Sequence, residues 1–306
     1  MSLSNLMPTN LGPIVSGDWL QANLRQPGVV VLDASWYLAH LGRDPRREYL
    51  GAHVPGALFY DLDAISDPGS LLPHMFGTPE RFAEKMGELG VGDDDLVVTY
   101  DGSGANLSAA RAWWTFKVFG HDRVAVLDGG FITWQHEGRP VESGPVLRSP
   151  ARFTPRYRPG LVRSLDEVRA ILGSGSEQVV DARSAGRYSG REPEPRPGLR
   201  SGHMPGSRNL PYPELVGLDG RLLDRERLTA RLRAAGIDLD RPIVTSCGSG
   251  VTACALLLVL DHLGHSGHAL YDGSWSEWGG PIDTPVVEGA GSRKEGAGSG
   301  SEEPAV

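Results

Sequence analysis

The chain repeats itself once, and that repeat constrains its fold more than any other feature. Val29-Val-Val-Leu-Asp33-Ala34 returns as Gln178-Val-Val-Asp181-Ala182, and Gly51-Ala-His53-Val-Pro55-Gly56 returns as Ser201-Gly-His203-Met-Pro205-Gly206. Val97-Val-Thr-Tyr-Asp101-Gly-Ser-Gly104 matches Ile243-Val-Thr-Ser-Cys247-Gly-Ser-Gly250, and Leu127-Asp128-Gly-Gly-Phe-Ile-Thr-Trp134 matches Tyr271-Asp272-Gly-Ser-Trp-Ser-Glu-Trp278. Four blocks in one order, about 150 residues apart, are the mark of a duplicated domain, because solenoid repeats are several-fold shorter. Within each half, strand-like apolar runs alternate with helical stretches such as Pro79 to Leu89 and Asp224 to Ala235, each followed by Gly. That alternation predicts an α/β chain of two tandem domains, each a mainly parallel sheet flanked by helices.

The expected division is 1–140 for the first half, 141–162 for a connector and 163–286 for the second half. The connector is rich in Pro, Arg and Ser without apolar periodicity. From 287 to 306, Gly, Ser and Glu dominate, which predicts a disordered tail.

With 40% hydrophobic and 22% charged residues, the 306-residue chain is of ordinary globular composition. A net charge of −8 without Lys/Arg clusters argues against nucleic acid or an acidic membrane as partner. No apolar run approaches the roughly 18 residues of a membrane span, and Met1 to Pro13 lacks the basic start and apolar core of a signal peptide. A cytoplasmic protein is the expectation. Its two cysteines, Cys247 and Cys254, would stand roughly 10 Å apart along one helix, too far for a disulfide, and match no usual zinc spacing. Cys254 is then expected to be a packed core residue.

Cys247 is different. The β-branched run Ile243-Val-Thr245 predicts a strand, and the apolar segment from Val251 to Leu263, closed by Gly264, predicts a buried helix. Cys247 falls on the turn between them. Gly248 and Gly250 allow consecutive backbone N–H groups to point inward, forming an anion-binding nest at the positive end of the helix dipole. A thiol held there is expected to ionise, since helix N-termini lower a cysteine pKa from about 8.5 to roughly 3.5–7.5. The competing reading is one more buried small hydrophobe. The repeat sharpens the choice, because the matching loop of the first half carries Asp101. Only the second half can do thiol chemistry, and the first is expected to lend residues across the cleft between them.

At this point Cys247-Gly-Ser-Gly-Val-Thr-Ala253 resembles the active-site loop of the two-domain rhodanese family of sulfurtransferases, most closely its mercaptopyruvate-using members. Asp33-Ala-Ser-Trp-Tyr-Leu38, Leu41-Gly-Arg-Asp44, Glu192-Pro-Glu-Pro-Arg196, Gly202-His-Met-Pro-Gly206 and the Tyr271 to Trp278 block extend the likeness over nearly the whole chain. Thiosulfate-using members carry two basic side chains just after the cysteine, where this chain has Gly248 and Ser249. That departure disfavours thiosulfate, a compact dianion that benefits from charge close to the sulfur.

The resemblance implies a Cys247 persulfide loaded from 3-mercaptopyruvate and passed to thioredoxin, a small thiol or cyanide, without metal or organic cofactor. It places the carboxylate clamp at Arg187 and Arg196, whose forked guanidinium groups suit a carboxylate and the adjacent keto oxygen. The amides of Gly248, Gly250, Val251 and Thr252 would complete the donor-binding site. It also implies a relay in which Ser249, His74 and Asp63 supply the proton that the departing pyruvate enolate needs. His53 and His203, each beside Pro-Gly, are expected to serve structure. The competing functions are thiosulfate:cyanide sulfur transfer and a persulfide carrier with little turnover. A cysteine phosphatase is disfavoured, because Gly248 to Cys254 contains no Arg to close the loop on phosphate.

Overall fold

The computed structural model describes residues 12–289. Two five-stranded sheets organise it. The first contains β1 (Ile14–Val15), β2 (Val29–Asp33), β3 (Leu58–Phe59), β4 (Leu96–Tyr100) and β5 (Val124–Leu127), in the order β1-β5-β4-β2-β3. The second contains β6 (Val162–Arg163), β7 (Gln178–Asp181), β8 (Arg208–Asn209), β9 (Ile243–Ser246) and β10 (His268–Tyr271), in the order β6-β10-β9-β7-β8. Every pairing is parallel, and the two orders coincide when each sheet is counted from its own first strand. β4 and β9 are buried at every position, as expected of central strands covered on both faces.

The predicted helices form with the expected punctuation. Thr78 caps Pro79–Leu89, which Gly90 ends in the left-handed region, and Asp224 caps Arg225–Ala234. Ala235, expected within that helix, is its C-terminal cap. Two other helices lie at the centre of the molecule. Leu107–Val118 follows the Asp101 loop, Val251–His262 follows the Cys247 loop, and nearly all residues of both are buried in one shared core. A helix apolar on all sides has to be covered on all sides, so each half covers the central helix of the other. Cys254 sits fully buried in that core, where burial pushes its thiol up to about 12.

The segment joining the halves is laid along the first of them. Glu142 forms an antiparallel bridge with His53, Arg148 forks onto Asp95, and Phe153 packs against Phe82. Of the tail expected from 287 to 306, residues 287–289 are described. Val287 bridges His203 and Gly289 donates to Ser189, so backbone pairing fixes both residues. The rest of that expectation, 290–306, lies outside the described residues. Among the described residues no helix is long and apolar enough to cross a membrane.

Candidate active site

Cys247 follows β9 immediately, at the carboxyl end of a central parallel strand, where open α/β sheets place their ligands. It is 2% exposed. Its own N–H donates to Ser274 Oγ at 3.2 Å, while its carbonyl accepts from Trp275 N at 3.0 Å. The Gly248 carbonyl accepts from both the N–H and the hydroxyl of Ser276, at 2.8 and 2.7 Å. These bonds turn the loop carbonyls away from the cleft. The N–H groups of Gly248, Ser249, Gly250, Val251 and Thr252 are left without an acceptor among the described residues. Gly250 makes the turn possible, with φ of 75° and the Asp272 carbonyl only 2.9 Å from where a Cβ would stand. The result is an open nest at the N-terminus of a twelve-residue helix.

Two arginines face this nest. A Cβ on Gly248 would lie 3.0 Å from Arg187 Nη2 and 3.8 Å from Arg196 Nη1. Arg187 is aimed by Glu194, which accepts from its Nε at 3.2 Å and from its Nη2 at 2.5 Å. Glu194 is itself buried and also takes Arg183 Nη1 at 2.7 Å, while Arg183 forks onto Asp181 and covers the Trp275 ring. Arg196 is half-buried. Burial pulls its guanidinium below the ordinary value, the Cys247 sulfur opposes that, and Arg187 adds to it. Sequence reasoning missed Arg183 and Glu194, although Glu194 lies inside the Glu-Pro-Glu-Pro-Arg196 run; an acidic residue among prolines gives no sign that it holds two arginines.

From the other half come His74 and Asp63. His74 Nδ1 lies 3.1 Å from Asp63 Oδ1 but off the line of a hydrogen bond, so the contact is a close approach rather than an aligned bond. Trp36, another residue sequence reasoning missed, donates from Nε1 to Asp63 Oδ2 at 3.1 Å and meets the His74 ring edge to face at 4.4 Å. His74 first, then Trp36 and nearby Arg196, hold the Asp63 carboxyl below its usual range against partial burial. The remaining ring nitrogen, His74 Nε2, faces Arg196 Nη2 at 3.4 Å. Ser249 is buried beside the cysteine but makes no hydrogen bond to His74 among the described contacts. The geometry therefore joins His74 to Asp63 and to Arg196, and leaves out the serine that the expected relay requires. The reason is local: Trp36 fixes the ring's tilt, and the guanidinium of Arg196 already occupies its free nitrogen.

His53 and His203 are structural. Each presents Nδ1 to a tyrosine carbonyl at 2.8 Å, Tyr49 or Tyr188, and stacks on the same tyrosine's ring. Among the described residues, no group of three or more His, Cys, Asp or Glu is placed to hold a metal ion.

The rhodanese-like domain family matches residues 16–137 and again 164–280. The chain belongs to the rhodanese family. It is 45% identical over 295 residues to thiosulfate/3-mercaptopyruvate sulfurtransferase 1, mitochondrial, of Arabidopsis thaliana, covering 90% of this chain and 78% of that protein. Bovine thiosulfate sulfurtransferase is 41% identical over 288 residues, covering 92% and 97% of the two chains. The crystal structure of the 3-mercaptopyruvate sulfurtransferase SseA from Escherichia coli superposes with a TM-score of 0.80 at 39% identity, covering 87% of this chain and all of that one. Rhodanese-family relatives named for either donor thus stand at similar identity. Identity does not choose between donors; the loop has to.

Proposed function

We propose that this rhodanese-family sulfurtransferase takes sulfur from 3-mercaptopyruvate onto Cys247 and hands it to a thiol or to cyanide. The observation that carries the reading is the placement of positive charge. Gly248 and Ser249 put none beside the sulfur, whereas Arg187 and Arg196 converge over Gly248 from a separate segment. Thiosulfate concentrates its charge on the transferred sulfur and on oxygens two bonds from it, while mercaptopyruvate carries its carboxylate several bonds away. A remote pair of forked donors fits the second.

The chemistry then follows from the residues present. The Cys247 thiolate attacks the donor sulfur, an S–S bond forms, the C–S bond breaks, and its electron pair leaves on pyruvate as the enolate. The open N–H groups of Gly248 to Thr252 stabilise thiolate and persulfide alike, because they are fixed before charge arrives. Arg187 and Arg196 orient the donor carboxylate and keto oxygen. When that carboxylate draws Arg196 away, His74 Nε2 becomes free to meet Ser249, with Asp63 behind it, and the enolate carbon receives its proton along that chain. An acceptor thiolate, on a small molecule or on a thioredoxin-like protein, or cyanide, next attacks the outer sulfur and restores Cys247. Neither half-reaction calls for a metal or an organic cofactor, and the site of action is expected to be cytoplasmic.

The test is steady-state turnover with 3-mercaptopyruvate and with thiosulfate, each with a thiol and with cyanide, beside a Cys247→Ser control. A preference for mercaptopyruvate of about tenfold or more in kcat/KM is the expected result. A preference for thiosulfate would overturn the clamp reading. Stoichiometric persulfide with no turnover would replace it with a carrier.

A further inference from the structure

The contact between the halves is a near two-fold, and one of its asymmetries lies under the catalytic loop. Asp272 Oδ2 accepts the N–H of Phe76 from the opposite half at 2.9 Å, and Asp128 Oδ1 accepts the N–H of Leu222 from the opposite half at 3.0 Å. Two residues before each of those N–H groups the backbone is left-handed, at His74 with φ of 62° and at Gly220 with φ of 74°. The pattern thus places His74 over the Cys247 loop where its counterpart over the Asp101 loop is a glycine. A histidine in that region is strained, and such a residue persists only where surrounding contacts over-determine it.

Arg111 supplies those contacts. It lies on the central helix of the first half, the fifth of that helix's twelve residues, where the matching helix of the second half has Ala255. Its side chain is 1% exposed. It crosses between the halves to Asp272 Oδ1 at 2.7 Å, approaches the Gly250 carbonyl at 3.4 Å, donates from Nη2 to the His74 carbonyl, and lies 3.8 Å over the Phe76 ring. One guanidinium therefore ties together the strained residue, the loop on which it sits and the turn glycine of the cysteine nest. The mirror position offers an apolar side chain.

We propose that Arg111, paired with Asp272, is a positioning residue through which the first half fixes His74 over the Cys247 nest. The inference rests on the reading of His74 as part of the proton path. Arg111 touches neither donor nor sulfur; it acts by denying His74 its other conformations.

Variants Arg111→Lys, Arg111→Met, His74→Ala and the double variant Arg111→Met/His74→Ala test this, with Asp128→Asn as the mirror control. Lysine keeps the buried cation but cannot bridge Asp272 and the His74 carbonyl together, so it guards against loss of fold in the methionine variant. The expected result is a fall in kcat of about tenfold or more for both Arg111 variants, with KM for mercaptopyruvate within about twofold of the parent. His74→Ala should cost less than about twofold further once Arg111 is gone, because the two act as one unit. Asp128→Asn should lower Tm without lowering kcat. Multiplying effects of Arg111→Met and His74→Ala, or an unchanged kcat in folded Arg111→Lys, would overturn the proposal and leave the His74 reading intact. If His74→Ala alone leaves kcat unchanged, both fall together.

Discussion

The two strand-to-helix loops begin with matching residues, the first running on two residues longer before its helix, and they differ in where the negative charge comes from. In the first, Asp101 fills its own nest: Oδ1 accepts from Ser103 N at 2.8 Å and Ser103 Oγ at 2.5 Å, and Oδ2 accepts from Ala109 N at 2.9 Å. Ser35 Oγ takes Gly102 N, and Ser103 Oγ takes Ala105 N. The second loop leaves the N–H groups of Gly248 to Thr252 open and presents a thiol. Around each, arginine and carboxylate are arranged alike. Arg43 reaches the Gly102 carbonyl and forks onto Glu48, as Arg187 faces Gly248 and forks onto Glu194. Tyr37 closes the first opening, with its hydroxyl 2.5 Å from where a Cβ on Gly102 would stand. A binding loop becomes a structural one, then, when a side chain supplies the anion that a ligand would otherwise bring.

Exchange of the loop residues is the strongest way to break that comparison. Cys247→Asp should abolish turnover, as Cys247→Ser should, yet raise stability by on the order of 1 kcal/mol as its carboxylate takes the open N–H groups. Turnover and denaturant unfolding check both parts, and a less stable Cys247→Asp would mean that the two nests are not equivalent. Next in size are the arginines. Arg187→Met and Arg196→Met should each raise KM for mercaptopyruvate about 10- to 100-fold, while Arg43→Met leaves it unchanged; equal responses would show that the first opening also handles substrate.

A smaller effect separates the two left-handed positions. Gly220→Ala should destabilise by about 1–3 kcal/mol, since its Cβ would press on the Gly104 carbonyl at a left-handed φ. His74→Gly should lose turnover with little loss of stability, because glycine removes strain there as well as the imidazole.

A last contrast, read in pH dependence, concerns the first aspartate of each repeat. Asp181 is paired with buried Arg183, whereas Asp33 has Ser35 in that place, and burial pushes the Asp33 carboxyl up from 3.8 to about 6. A folded pKa raised above the unfolded one means that this group's contribution to stability is lost as pH rises through about 6. Relative to the parent, Asp33→Asn should therefore gain stability between pH 4 and 7, as Tm measured across that range would show, and a flat difference would remove the burial effect.

Much of this was legible in the residues. Apolar periodicity and glycine punctuation marked β9, the helix from Val251 and the capped helix from Pro79, because these depend on local propensity and on burial that every residue of the element shares. The repeat made Cys247 stand out by setting Asp101 against it. Glu194, Trp36 and Arg111 gave no such signal. Each acts through a partner 7, 27 or 161 residues away, and a single side chain carries no period that would reveal its partner. The order of strands beyond the alternation, and the course of the connecting segment from Glu142 to Phe153 along the first half, escaped for the same reason.

The sequence alone therefore determined that two copies of one parallel α/β unit would form and that one of them would carry a nucleophile at a helix N-terminus. Both follow from residues next to one another in the chain. Only the tertiary structure decided which half faces which loop, that His74 would meet Arg196 instead of Ser249, and that a buried arginine from the half without the cysteine would lie beneath it. Those outcomes depend on how two all-round apolar helices cover each other, and that packing is settled by shape across the interface between the halves, to which no local stretch of sequence has access.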